Sequence, residues 1–463
     1  MIAEDNIVRL LDFLIDSIIR EHPQDFTDKG LSRLGRKAYH PSVFIKLYIY
    51  GYLNGINSSR KLEQESQRNI ELIWLLGALK PDFKTIADYR KDNGDKITKI
   101  LERFERFLKD KQYISGKTIS IDGSKIRANA SISVGLETIE EKIKNWAEQL
   151  RVYFEIMDQH DTDDDFHGSE EKERLIDKIN GLEKEIAKLH HENILLQSNG
   201  IKRYSPTDTD CRMMKGREGT HFSYNVQTAV DSKNKMIIVT KVTNHENDKN
   251  QLEHVVKEVR TVGLKPENVI ADAGYYKMES IKKVEESGTQ CFIPINKNQN
   301  ILSDEKNAIK FRYLPQKDEY ECSEGQRLIL KIKKKLDVVR NTLMSSYESI
   351  DCGGCAKRKQ CCGDKVNRIK WRHEDQDWRD EYEKKIYSSY GEYMISKRKG
   401  MVEHPFGTLK TWMGKIPIKL RGIAKVQTEM NLYHIAYNFK RLMNVQRYPV
   451  LINQIEKHKW IPA

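Results

Sequence analysis

Apolar residues recur at helical spacing through Ile7 to Ile19, Val43 to Leu53, Leu62 to Leu76 and Ile97 to Leu108, so residues 1–113 read as an all-helical unit. Asn57, Ser58 and Ser59 offer N-caps to a helix beginning near Arg60, and Thr85 to one beginning at Ile86. At Thr118 the pattern changes to alternation. Ile119 and Ile121 share one face of a half-buried strand, Ser120 and Asp122 the other, and residues 124–134 read as short and polar. Two heptad runs follow. Ile139, Ile143, Trp146, Leu150, Tyr153 and Met157 fall at alternating steps of four and three, as do Leu175, Ile179, Leu182, Ile186, Leu189, Asn193 and Leu196. Residues 135–200 therefore predict an antiparallel helical hairpin, closed by an acidic turn from Asp158 to Glu173. Asp163, Asp164 and Asp165 in that turn read as a solvated loop rather than a metal site.

Beyond a polar loop at 204–217, holding Asp208, Asp210, Arg212 and Lys215, strand patterns return at His221 to Asp231 and Lys235 to Val242, turning at Ser232 to Asn234. An amphipathic helix from Asp248 to Val262 leads to a short apolar strand, Val269 to Ala271, that stops at Asp272. A helix from Lys277 to Glu286 and a strand from Gln290 to Ile295 complete the run. Three strands, helix, strand, helix, strand is the order of an α/β catalytic domain with a ribonuclease-H-like core, assembled from 114–134, 201–296 and 391–445. Residues 297–390 interrupt it with few large apolar residues, a helix from Val426 to Leu442 closes it, and 446–463 form a tail.

The chain has 463 residues, too many for one compact core, and a net charge of +12. That balance favours a polyanionic partner without naming it. No run of 18 apolar residues and no basic-then-apolar leader is present, so a cytosolic protein is expected. Seven cysteines in a long charged chain speak for thiols or metal rather than disulfides. Cys352-Gly-Gly-Cys355 has the spacing of a metal-binding turn. With Cys322 and Cys361 it could complete a tetrahedral, structural Zn²⁺ site, Cys362 or His373 replacing one ligand; free thiols on a flexible insertion are the alternative.

Three carboxylates carry the candidate chemistry. Asp122 and Asp272 stand at strand ends, where α/β sheets form their ligand crevice. Glu403 lies in Val402-Glu-His-Pro-Phe-Gly-Thr-Leu-Lys410. Pro405 puts it at a kink or just outside a helix starting at Pro405, and in either case near a helix start. Such a trio suits two Mg²⁺ ions roughly 4 Å apart, flanking a phosphorus in an in-line displacement. Trp412 and Arg421 beyond it are candidates for DNA contact, as are Arg60, Lys61 and Arg90 if the amino-terminal helices form a helix-turn-helix; a small bundle with solvated basic faces fits that pattern equally.

Those local contexts resemble the DDE transposases of bacterial insertion sequences, and more closely the eleven-eighty-two type, related to the insertion-sequence four and five enzymes. The likeness runs through Tyr39-His-Pro-Ser, Ser58-Ser-Arg-Lys-Leu-Glu, the Asp122 strand, Asp208-Thr-Asp-Cys-Arg-Met, Tyr224-Asn-Val-Gln-Thr-Ala-Val-Asp231, Ala271-Asp272-Ala-Gly-Tyr-Tyr276 and the Glu403 stretch. It implies an enzyme in which Asp122, Asp272 and Glu403 bind two Mg²⁺ ions, for which Mn²⁺ can substitute. Lys410 would hold phosphate. The family's arginine four before the glutamate is here Lys399, with Arg398 beside it, and its tyrosine seven before is Ser396. The resemblance also implies double-stranded DNA as partner, as terminal inverted repeats and as target, a homodimer in the DNA complex, and a place at the bacterial nucleoid. A metal-dependent nuclease of the same fold and a DNA-binding relative without chemistry are the rivals.

Overall fold

The computed structural model describes residues 2–26, 38–130, 133–160, 170–198, 200–216, 219–295, 310–337, 342–412 and 418–460; the side chains of 160, 171, 195 and 403–412 are outside it. The acidic triplet Asp163 to Asp165 thus lies outside the described residues. The described part of the amino-terminal 110 residues is built of helices: α1 (Ile7–Glu21), α2 (Pro41–Leu53), α3 (Ser59–Arg68), α4 (Ile70–Leu75), α5 (Phe83–Asp92) and α6 (Gly94–Asp110). Asn6, Asn69 and Asp82 accept hydrogen bonds from first-turn amides of α1, α4 and α5, and His40 does so for α2, whose first residue is Pro41. The cap of α5 is therefore Asp82, not Thr85, and Ser58 precedes α3 without a side-chain cap bond.

Strand β1 (Thr118–Arg127) runs straight through Gly123, so residues 124–127 are sheet rather than loop. A two-stranded ladder of β2 (Val134–Gly135) and β3 (Arg203–Tyr204) frames the helical hairpin α7 (Leu136–His160) and α8 (Glu170–Ser198). Ile139 and Leu196 from the two heptad seams are buried together at its base with Tyr204. Then come β4 (Arg212–Gly216), β5 (Gly219–Asp231), β6 (Ile237–Thr243), α9 (Gln251–Thr261), β7 (Asn268–Ile270), α10 (Met278–Glu286) and β8 (Gln290–Phe292). The expected polar loop at 204–217 contains β4, which pairs with the first half of β5. The sheet runs β6-β5-β1-β7-β8, with β5 antiparallel to both neighbours and β1, β7 and β8 parallel. The carboxyl ends of β1, β6 and β7 consequently open on one edge, an arrangement that fits the ribonuclease-H-like order expected from the sequence.

The insertion is itself a five-stranded antiparallel sheet: β9 (Phe311–Leu314), β10 (Glu319–Cys322), β11 (Arg327–Asp337), β12 (Thr342–Ser349), then the short helix α11 (Arg358–Cys362) and β13 (Ile369–His373). Its buried core is small, formed by Tyr320, Leu328 and Tyr347. The chain returns through α12 (Gln376–Ile386) and α13 (Ser389–Trp412), then α14 (Ile423–Val445) and α15 (Tyr448–Glu456). Glu403 is inside α13, fourteen positions past its first residue, so neither a helix start at Pro405 nor one close by is found. Pro405 forgoes one intrahelical hydrogen bond, a local loss that a helix of 24 residues survives.

Helix α14 is buried on nearly every side and links the layers. The Tyr433 ring meets Tyr52 of α2 at 4.3 Å, and the Asn438 amide closes both backbone bonds of Ile237, at 2.9 and 2.8 Å. Through it, residues from α1 to α6 and from the central sheet form one continuous hydrophobic cluster.

Candidate active site

Asp122 and Asp272 reach the same edge of the sheet by different routes. In β1, Asp122 lies opposite Thr228 of β5, with Ile119 and Ile121 fully buried before it. Two residues beyond β7, Asp272 turns the chain: its Oδ1 accepts from the Gly274 amide at 2.8 Å and caps the short turn Ala273–Tyr275. One nitrogen, Nη2 of Arg398 on α13, donates to Asp122 Oδ1 at 3.0 Å and to Asp272 Oδ2 at 3.5 Å. The two aspartates therefore share one cation. Burial raises the Asp122 pKa above the usual carboxylate range, Arg398 works against that, and the Asp272 charge adds to it.

A further carboxylate, Asp248, stands beside them. It follows β6 by five residues, and its Oδ1 accepts from Asn225 Nδ2 at 2.8 Å and Gln227 Nε2 at 2.7 Å, both on β5. The Tyr275 hydroxyl donates to Gln227 Oε1. Burial, then the charges of Asp248, Asp122 and Asp272, hold the Tyr275 phenol well above its ordinary pKa, so it remains a donor. Gly123 is required between these groups. A Cβ there would meet Asp248 Oδ1 at 2.5 Å and Gln227 Nε2 at 2.7 Å. In the sequence Asp248 shows only as a helix start; the signal that finds it is an acid just past a strand that runs parallel to β1 and β7.

Residues 198–439, more than half of the chain, match the family model of the transposase DDE domain, and residues 1–92 match a transposase domain (DUF772). The chain belongs to the DDE transposases. The match spans Asp248, Asp272 and Glu403 and begins after Asp122, which the fold joins to this transposase's other aspartates. No curated protein matches the chain. A cryo-EM structure of a piggyBac transposase synaptic complex with hairpin DNA is similar at a TM-score of 0.36 and 11% identity, over 97% of this chain and 79% of that one, a likeness too distant to inform the site. Among the described residues no helix is long and apolar enough to cross a membrane.

The remaining candidates of the transposase divide. Glu403, Lys410 and Trp412 are in α13, with side chains outside the described residues. Lys399 is exposed on the same helix. Arg421 is exposed, its Nε donating to the Asn129 carbonyl at 2.9 Å. Arg60 and Lys61 are exposed at the start of α3, the Arg60 guanidinium lying over the Phe83 ring. Arg90 is a correction. It is 3% exposed, donates to the Tyr52 hydroxyl at 3.0 Å and pairs with the buried Glu429 at 3.6 Å, so it belongs to the interior and offers nothing to DNA. The aspartates of the Asp208-Thr-Asp motif are structural: Asp208 accepts from the Tyr224 hydroxyl at 2.6 Å and the Gly422 amide at 3.1 Å, and Asp210 from the Ile423 amide at 2.9 Å, so both clamp the start of α14. All seven cysteines are free, and Cys322, Cys352, Cys355, Cys361 and Cys362 line one cavity in the insertion. Among the described residues no three or more His, Cys, Asp or Glu side chains are already arranged to hold a metal ion.

Proposed function

We propose that this transposase binds the ends of its own mobile element, of the eleven-eighty-two type, nicks them by hydrolysis and joins the freed 3′ hydroxyl to target DNA, with Asp122, Asp272 and Glu403 as the Mg²⁺ ligands. The observation that carries this reading is the single guanidinium nitrogen shared by Asp122 and Asp272. Two carboxylates gathered on one cation are placed to be gathered on a divalent one instead. Their oxygens are the hard donors that Mg²⁺ and Mn²⁺ prefer, so the donor set fits a divalent ion. When bound, two such ions would activate the attacking oxygen and balance charge on the leaving one.

The chain's own residues do the rest by position. Glu403 follows Arg398 on α13 by five residues, roughly 7.5 Å along the axis. Arg398 holds the two aspartates in place, and with metal on them its guanidinium would be available to DNA phosphate. Its Nε is buried and has no hydrogen-bond partner among the described residues. Lys399, Lys410, Trp412 and Arg421 extend the grip on DNA, and Arg60 and Lys61 meet the terminal repeats. The ends must be held together for joining, so a dimer forms on DNA.

The test is strand cleavage and joining on DNA bearing the element's own ends, with Mg²⁺ or EDTA, for the native chain and Asp272→Asn. Metal-dependent 3′ nicking followed by joining, lost by about 100-fold or more in the variant, is the expected outcome. Cleavage without joining would make the chain a nuclease. End binding with no cleavage would leave it a DNA-binding relative.

A further inference from the structure

We propose that the β9–β13 insertion carries a structural zinc site whose ligands are Cys322, Cys352, Cys355 and one thiol of the adjacent pair Cys361 and Cys362. This site is independent of the catalytic reading. Five of the seven cysteines converge on one cavity from three separate segments: the β10–β11 turn, the loop after β12, and α11. Cys362 and Cys352 are buried there, and Cys361 lines the same cavity beside Cys362.

The backbone makes a tight turn at Cys352 and another at Cys322. From Cys352 the chain folds so that the Cys355 amide donates to the Cys352 carbonyl at 3.3 Å, and the Arg358 amide to that of Cys355 at 3.0 Å. At the other turn the Gly325 amide donates to the Cys322 carbonyl at 2.9 Å, while the Gln326 amide points at the Cys322 sulfur at 3.3 Å. That amide orients the Cys322 sulfur, which lines the cavity. Arg358 and Arg368 line the same cavity and oppose the net negative charge of four thiolates on one Zn²⁺. His373, the other ligand considered from the sequence, accepts from the Asp375 amide at 3.0 Å at the entry to α12 and does not line this cavity.

The need for a staple follows from packing. A sheet of five strands whose buried core is Tyr320, Leu328 and Tyr347 removes little apolar surface from water. Zinc would tie the β10–β11 turn to the loop after β12 and to α11, so its binding energy becomes folding energy for the insertion. The Cys352 thiol now donates to Ser349 Oγ at 2.9 Å, so metal entry requires the thiols to lose their protons and turn inward.

The test uses the full chain purified without chelator. Metal content is measured by elemental analysis, and the chain stripped of metal is titrated with Co²⁺, whose thiolate charge-transfer and tetrahedral d–d bands report the ligand set. The expected result is one zinc per chain, cobalt spectra of four-coordinate thiolate type, and loss of both in Cys352→Ser/Cys355→Ser. To cover a variant that fails to fold, alkylation of the unaltered chain is mapped by mass spectrometry with and without added Zn²⁺. Zinc should protect the cavity thiols by at least tenfold in rate, and chelation should reverse it. No bound zinc, no cobalt bands and no protection would overturn the proposal, as would metal binding undiminished in a folded variant.

Discussion

Asp122 is a half-buried carboxyl placed at a cost to the fold. Burial and the nearby Asp272 raise its pKa, and Arg398 offsets them only in part. A carboxyl with a raised folded pKa contributes stability below its unfolded value that is lost as pH rises through the folded one. Asp122→Asn, neutral at every pH, should therefore unfold at a higher temperature than the native chain at pH 7 in EDTA. The advantage should shrink as pH falls toward 3.8, while end cleavage drops by about 100-fold or more. Thermal melts at the two pH values, beside a nicking assay, check both halves; a lower melting point at pH 7 would mean that the Arg398 pair outweighs burial. Gly123 gives a second residue-scale case. Its neighbours cannot yield cheaply, because Asp248 is fixed by two β5 amides, so Gly123→Ala should cost roughly 1–3 kcal/mol in denaturant unfolding and weaken cleavage with it.

Among elements, α14 shows why some motifs can be seen but not understood from sequence. Its start at Gly422, with φ of 86°, is held by Asp208 and Asp210 some two hundred positions earlier. No local pattern reveals that partnership, and the stretch reads as a polar loop. Asp208→Ala leaves the buried Tyr224 hydroxyl and the Gly422 amide without their acceptor. It should destabilise by about 1–3 kcal/mol, against about 1 kcal/mol for Asp210→Ala, measured by urea unfolding. The central strands are legible for the opposite reason: apolar residues recur along β1, β5, β6 and β7, even though β1 and β5 also bury polar ones such as Ser120, Asn225 and Gln227. The insertion sheet is not legible, because β11 exposes most of its length, including Lys331, Lys333, Lys334 and Lys335, and so lacks the alternation of a half-buried strand. Helix α13 misleads through Pro405, whose local preference is overridden by the helix already running from Ser389. Of the site, the aspartates stand out because apolar strands point to them, whereas Asp248 lies in a polar stretch that gives no contrast.

At the scale of the whole molecule, the amino-terminal helices and the catalytic sheet meet across α14, and the ion pair of Arg90 with Glu429 is sealed inside that junction. Arg90 resembles a DNA contact because a charge in a short helix is normally at the surface; its partner is more than three hundred residues away. Glu429 also accepts from the Lys419 amide at 3.0 Å and the Leu420 amide at 3.2 Å, yet burial still pushes its pKa up despite these bonds and Arg90. Arg90→Met removes the cation and strands a buried carboxylate, which should cost about 3–5 kcal/mol at pH 7. The loss should diminish as pH falls through the raised pKa of Glu429, because the protonated acid needs no partner, and Glu429→Gln in the same chain should restore much of it at neutral pH. Urea unfolding should be followed at once by helical circular dichroism and by proteolysis of the catalytic sheet. Since one hydrophobic cluster spans both layers, the two signals should shift together in Arg90→Met; helices that melt first, leaving the sheet resistant, would show that the amino-terminal unit folds on its own.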